Sequence, residues 1–264
     1  MTRIQEFQKP IKVAYPPGNS IVFEQWMIDN CHHEDFLPIN WTGFFVNNQY
    51  GKARIPMQNL QRFVNGLDKR KRWFCTTQYD LGILTDISNL NIKVFGSGGG
   101  RIDFPIPLIC QPHGVFQDET RTIFANFVGS ITHPIRTKLV QSLFGKTDYY
   151  LSTEHHPIED FCRILSKSLF TIAPRGFGLT SFRICEALEQ GSIPVYLSDE
   201  FIIPGHKDFN EYGVLIHSDQ INEIDDILKS ISVDQIVSKQ EAGKRVYEEM
   251  FSFQGCKQLI LDNL

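Results

Sequence analysis

Leu169 to Glu200 reads LFTIAPRGFGLTSFRICEALEQGSIPVYLSDE. The apolar run 169–172 is a buried strand, and it enters Pro174-Arg175-Gly176-Phe177-Gly178. Two glycines in that turn let backbone amides approach a ligand closely. Thr180 or Ser181 then caps a helix with Phe182, Cys185 and Leu188 on its apolar face, and Gly191 offers a left-handed stop before a second strand at 193–197. Strand, glycine turn and helix start make an anion site, because unsatisfied amides and the positive end of the helix dipole converge there. Arg175 can present a bidentate fork to phosphate oxygens. Arg183 and Glu186 stand three apart on one helix face, and a carboxylate at Glu186 could accept from a ribose diol. An ordinary βα turn fits the same spacing, with Arg175 paired to a carboxylate and Glu186 on a solvated face.

Outward from this segment, strand-length apolar runs alternate with helix-period stretches, which predicts an α/β fold. Towards the amino terminus, strands are expected at 11–15, 36–40, 73–78, 92–95 and 106–109, with helices at 23–30 and 57–67. The second half starts afresh with a strand at 123–128 and helices at 135–143 and 158–166. It continues past the quoted segment with a strand at 214–216 and a mostly helical tail. Crossovers of this length give parallel sheets, with ligands at the carboxyl ends of the strands. The least patterned stretch, 111–120, divides the chain into 1–117 and 118–264, with the terminal helices free to pack back on the first part.

The chain has 264 residues, enough for one large or two small domains. It is 42% hydrophobic and 21% charged, with a net charge of −4, which excludes a disordered chain and a basic nucleic-acid coat. No apolar run reaches the ~18–20 residues of a membrane span, and no signal-peptide pattern opens the sequence. The six cysteines are scattered without a CxxC pair and read as reduced and buried. A soluble cytoplasmic protein, monomeric or homodimeric, is expected.

The motif around Arg175 resembles the signature of the exostosin family of glycosyltransferases (glycosyltransferase family 47 type). There a strand precedes P-R-G, a short loop and S-F-R-x-x-E-A-L-x-x-G-x-I-P-V. Pro174, Arg175, Gly176, Ser181, Phe182, Arg183, Glu186, Ala187, Leu188, Gly191, Ile193, Pro194 and Val195 all fit. FANFVGSITHPIRTKL at 124–139 is similar to the family's strand–glycine–basic segment. WFCTTQYDLG at 73–82 resembles its strand ending in H-D-x-G, except that Gln78-Tyr79 stands where a His precedes the Asp. Small members of microbes and large algal viruses are the most similar kind.

The resemblance implies a GT-B architecture, two Rossmann-like domains facing across a cleft. The carboxy-terminal one would bind a UDP-sugar, and the reaction would invert the anomeric centre. The family's donors include xylose, galactose, glucuronic acid and N-acetylglucosamine; UDP-xylose is the first choice here, with a glycan hydroxyl as acceptor. No cofactor or metal is implied. The nucleotide-sugar site would comprise Arg175, Gly176, Gly178, Thr180, Ser181, Arg183 and Glu186, with Gly129 and Arg136 near the diphosphate and Tyr150 on the uracil. Asp80, closing a strand in the first half, would be the base that takes the acceptor proton. His113 and Asp35 are the runners-up. Trp41 and Asp35 would meet the acceptor. A non-catalytic exostosin-like partner that binds a nucleotide sugar or a glycan is the competing expectation.

Three other features have plainer readings. Residues 31–35 (CHHED) lack zinc-like spacing and read as an exposed helix end or loop. Residues 96–100 (GSGGG) read as a flexible, hinge-like loop, and 69–72 (KRKR) as a solvated face after a helix.

Overall fold

The computed structural model describes residues 3–12, 23–114 and 120–264. The first sheet consists of β1 (Arg72–Thr77), β2 (Asn91–Gly96) and the short β3 (Phe104–Pro105), in that order and all parallel. Helices α1 (Phe23–Asn30), α2 (Trp41–Asn47) and α3 (Arg54–Asn65) precede it.

The strand expected at 36–40 shrinks to one parallel bridge between Phe36 and Phe74. Pro38 has no N–H for a ladder, and the Asn40 side chain accepts from Gly43 N at 2.8 Å, starting α2 instead. The strand expected at 106–109 is also missing. β3 ends at Pro105, and Pro105 and Pro107 break the donor pattern a central strand needs. Of the strand expected at 11–15, Ile11 and Lys12 are not extended into a sheet, and the remainder lies outside the described residues.

The second sheet is regular. It contains β4 (Ile123–Val128), β5 (Tyr149–Ser152), β6 (Ser168–Pro174), β7 (Ile193–Ser198) and β8 (Val214–His217), in the order β5-β4-β6-β7-β8, all parallel. The crossovers carry α4 (Pro134–Leu143), α5 (Ile158–Ser166) and α6 (Phe182–Glu189). β4 has β5 on one side and β6 on the other, so the winding reverses between β4 and β6. A crevice opens at the carboxyl ends of such a pair. Two parallel α/β units facing one cleft make up the GT-B arrangement.

One apolar cluster joins the units, with Phe74, Phe95 and Ile109 from the first and Cys185, Leu188 and Tyr196 from the second. After α7 (Ile224–Lys229), the tail runs through α8 (Val233–Val246) and a π-turn (Tyr247–Phe251) to α9 (Phe253–Leu261). α9 lies on α1, with the Phe253 ring 5.8 Å from Phe23 and 5.4 Å from Trp26. All six cysteines are free and buried. Among the described residues no helix is long and apolar enough to cross a membrane.

Candidate functional site

A cleft of about 830 Å³ lies between the units, a size suited to a nucleotide-sized ligand. Gln78 and Asp80 line one wall, and Gly129, Arg136, residues 176–178 and 180–183, and Glu186 line the other.

The first wall is held from below. Beyond β1, Gln78 N donates to the buried Glu24 carboxylate at 2.6 Å. Gly82 N then closes a turn on Tyr79 O at 2.8 Å, with Gly82 at φ +69°. Gly99 N donates to Asp80 O at 2.7 Å. A Cβ at Gly98 would collide with Tyr79 O, and one at Gly82 with Gly99 O. The glycine run 96–100 is therefore not a hinge. Its missing side chains let two backbones press together and clamp the turn that carries Asp80.

The second wall starts where β6 ends. Ser181 caps α6 by accepting from Arg183 N at 3.4 Å. Thr180 Oγ1 reaches across to Ser97 O at 2.8 Å. Gly178 faces the Asp80 carboxylate so closely that a Cβ there would come within 2.5 Å of Oδ1. The two walls therefore touch at Asp80–Gly178 and Ser97–Thr180.

Of the three expected cations, Arg136 and Arg183 line the cleft and Arg175 does not. The Arg175 Nη1 is 2.5 Å from Asp199 Oδ1, and that ion pair holds the Asp199 carboxyl below its usual range. The cause lies in the backbone: Arg175 N bonds Leu197 O at 2.9 Å, so the residue continues the ladder and its side chain meets the end of β7. Arg175 is thus paired with a carboxylate in the structure.

Arg136 and Arg183 take the place in the cleft. Arg136 donates to Arg175 O, Ser130 O and Pro174 O at 2.9, 2.9 and 3.0 Å, stitching β4 to β6. Burial, with the nearby Arg183 adding to it, lowers the Arg136 guanidinium to about 10, so it stays charged at neutral pH. A Cβ at Gly129 would lie 3.5 Å from Arg136 Nη1 and 3.6 Å from Arg183 Nη2. Both guanidinium groups therefore flank the carboxyl end of β4.

Arg183 also pairs with the Glu186 carboxylate, and its guanidinium sits 4.3 Å from the centre of the Phe161 ring. Glu186 is only 1% exposed and forms part of the floor rather than a solvated face.

Other expected residues fall elsewhere. The His113 side chain is 7% exposed, with Nε2 3.4 Å from Glu186 Oε1, so it stands beside the floor and not on the wall opposite. Trp41 is fully buried in α2. Asp35 sits at the amino end of β1, where its carbonyl accepts from Phe74 N, while Asp80 follows the carboxyl end. Neither can meet an acceptor in this cleft. Tyr150 is half-exposed on the edge strand β5, with its ring 6.2 Å from His156, and it is His156 that lines the cleft. Within 31–35, the His33 ring packs 5.4 Å from Phe74.

Phe177, passed over in the sequence, is 72% exposed on the lip of the cleft. An aromatic side chain between two glycines in a turn was the available signal.

The Exostosin GT47 domain model matches residues 83–231, more than half of the chain. A "Probable glucuronosyltransferase" of Oryza sativa subsp. japonica is 28% identical over 148 residues, covering 51% of this chain and 34% of that protein. Exostosin-1 of Drosophila melanogaster is 32% identical over 94 residues, 35% of this chain and 12% of its own. The chain thus spans about a third or less of the length of these relatives. Among solved structures, TarM covers 78% of this chain and 53% of its own at 9% identity and a TM-score of 0.46. The family match begins just after Asp80 and takes in the clamping glycines, the β4–α4 cation, the whole of α6 and the strands that present them; the chain belongs to the Exostosin GT47 domain family.

Proposed function

We propose that the chain is a glycosyltransferase that moves a sugar from a UDP-sugar to a glycan hydroxyl with inversion. One observation carries this: the Asp80 carboxylate lies against Gly178, in the turn before α6, and the wall of the cleft that carries Gly178 also holds Arg136 and Arg183. The family membership supports the reaction class.

Asp80 takes the proton of the acceptor hydroxyl as that oxygen forms its bond to C1. The bond from C1 to the diphosphate oxygen breaks, and UDP departs with its electron pair. Arg136, Arg183 and the α6 amides meet the growing charge. With that positive charge in place, transfer is expected to proceed without a divalent ion at the diphosphate. Glu186 accepts from the ribose diol alongside its pairing with Arg183. Phe177 offers its open ring face to an acceptor sugar. UDP-xylose remains the first donor to try. Six buried thiols support a reducing, cytoplasmic setting.

Calorimetric titration with UDP, followed by UDP-release assays over a panel of UDP-sugars and glycan acceptors, tests this. Micromolar UDP binding and acceptor-dependent release are expected. Binding without release under any acceptor would make the chain a non-catalytic partner. Absence of UDP binding would remove the proposal.

A further inference from the structure

Beside the floor of the cleft, three side chains of different chemistry converge. Cys110 Sγ, His113 Nε2 and a Glu186 carboxylate oxygen all lie within 4.8 Å of one another. Two come from one loop in a Cys-x-x-His spacing, Cys110-Gln111-Pro112-His113, and the third from α6. The loop is pinned, because the backbone N–H groups of His113 and Gly114 both donate to Glu189 Oε1, at 2.8 and 3.1 Å. His113 Nε2 is buried and makes no hydrogen bond among the described residues. A buried ring nitrogen with no hydrogen bond, and only a carboxylate oxygen 3.4 Å away, is costly unless something else meets it. Glu186 divides its oxygens, Oε2 towards Arg183 and Oε1 towards His113.

We propose that Cys110, His113 and Glu186 bind a zinc-type transition metal ion, with Glu186 giving it access from the cleft. A mixed sulfur, nitrogen and oxygen set suits Zn²⁺ and its Co²⁺ surrogate, and it disfavours Mg²⁺ and Ca²⁺, which take oxygen ligands. On binding, the Cys110 thiol gives its proton to solvent and ligates as thiolate. The thiolate and carboxylate then balance the dication, and Arg183 stays on Oε2 as an orienting outer partner. A fourth position remains for water or for Cys185, whose thiol neighbours that of Cys110. A consequence rests on the proposed function: Glu186 cannot serve the metal and a ribose diol together, so metal and nucleotide compete.

The reduced, metal-free full chain titrated with Co²⁺ tests the site. A thiolate-to-cobalt charge-transfer band saturating at one equivalent is expected. His113→Gln should weaken Co²⁺ by about tenfold or more, with unfolding curves recorded alongside. Cys110→Ser should abolish the band, and because a buried change there could harm folding, His113→Gln provides the independent variant. No band in the wild type, or an unchanged band and affinity in His113→Gln, overturns the site. UDP should displace the cobalt. UDP that binds the metal-free chain yet leaves the band intact overturns the competition and leaves the metal site standing. UDP that does not bind at all overturns the proposed function and not the metal site.

Discussion

The Asp80 carboxylate lies against the backbone of Gly178 on the opposite wall, so close that a Cβ at 178 would stand 2.5 Å from Oδ1. Position 178 thus sets where the carboxylate rests. Gly178→Ala would push Asp80 aside by about an ångström, and misplacements of that order cost roughly 10²-fold in rate. We expect kcat for sugar transfer to fall by about that factor while UDP affinity changes less than about threefold. Steady-state kinetics paired with UDP calorimetry check it, and an unchanged kcat would detach Asp80 from the reaction.

Asp80→Asn removes the base without changing its shape. General-base catalysis contributes roughly 10²–10⁴-fold, so transfer should drop by that range with UDP binding and unfolding midpoint preserved. Retained turnover would place the base elsewhere.

The second sheet was legible because β6, α6 and β7 carry consistent local signals. Burial is continuous along β7 and broken only at Leu169 in β6, Ser181 caps the helix, and Gly191 at φ +67° ends it. The first unit was less legible for a physical reason. The run Trp41-Thr42-Gly43-Phe44-Phe45-Val46 is buried on every side, so α2 has no amphipathic period to detect, and Trp41 belongs to the core rather than to an acceptor site. Arg175 was located in the motif, but its direction was not. That depends on Asp199, 24 residues away at the end of β7, and so on how two strands pair. The clamp between Gly98 and Tyr79 likewise requires two loops to meet.

Arg183 and Arg175 should therefore behave differently when truncated. Arg183→Met keeps apolar contact with Phe161 and loses the charge. A charge-assisted hydrogen bond contributes about 1.5–3 kcal/mol, so UDP affinity should fall roughly 10- to 100-fold. Arg175→Met breaks a pair whose Asp199 partner is half-exposed, so stability should fall by only about 1 kcal/mol, and UDP affinity should move less than for Arg183→Met. Calorimetry on both variants decides, and the reverse order would assign the diphosphate to Arg175.

Phe177 bears on the acceptor alone. Aromatic contacts of this kind contribute about 0.5–1.5 kcal/mol beyond burial. Phe177→Ala should raise the acceptor KM by a few-fold to about tenfold and leave the UDP-sugar KM unchanged. A change confined to the donor KM would move the ring to the other substrate.

Glu24 gives a pH signature. Its buried carboxylate accepts from Thr42 N at 2.9 Å, from the Thr42 hydroxyl and from Gln78 N, two residues before Asp80. Burial raises it from about 4.5 to about 7 despite those donors. The folded chain therefore holds the proton more tightly than the unfolded chain. Its contribution to stability is complete below about 4.5 and declines as pH rises, until it is lost above about 7. At 1.36 kcal/mol per unit the full difference is about 3 kcal/mol. Urea unfolding at pH 5 and pH 8 should show wild type losing up to that amount more than Glu24→Gln, which carries no titrating proton. Glu189, also raised by burial, contributes in the same direction in both proteins and cancels in the comparison. Equal losses in the two proteins would mean that Glu24 does not titrate within this window.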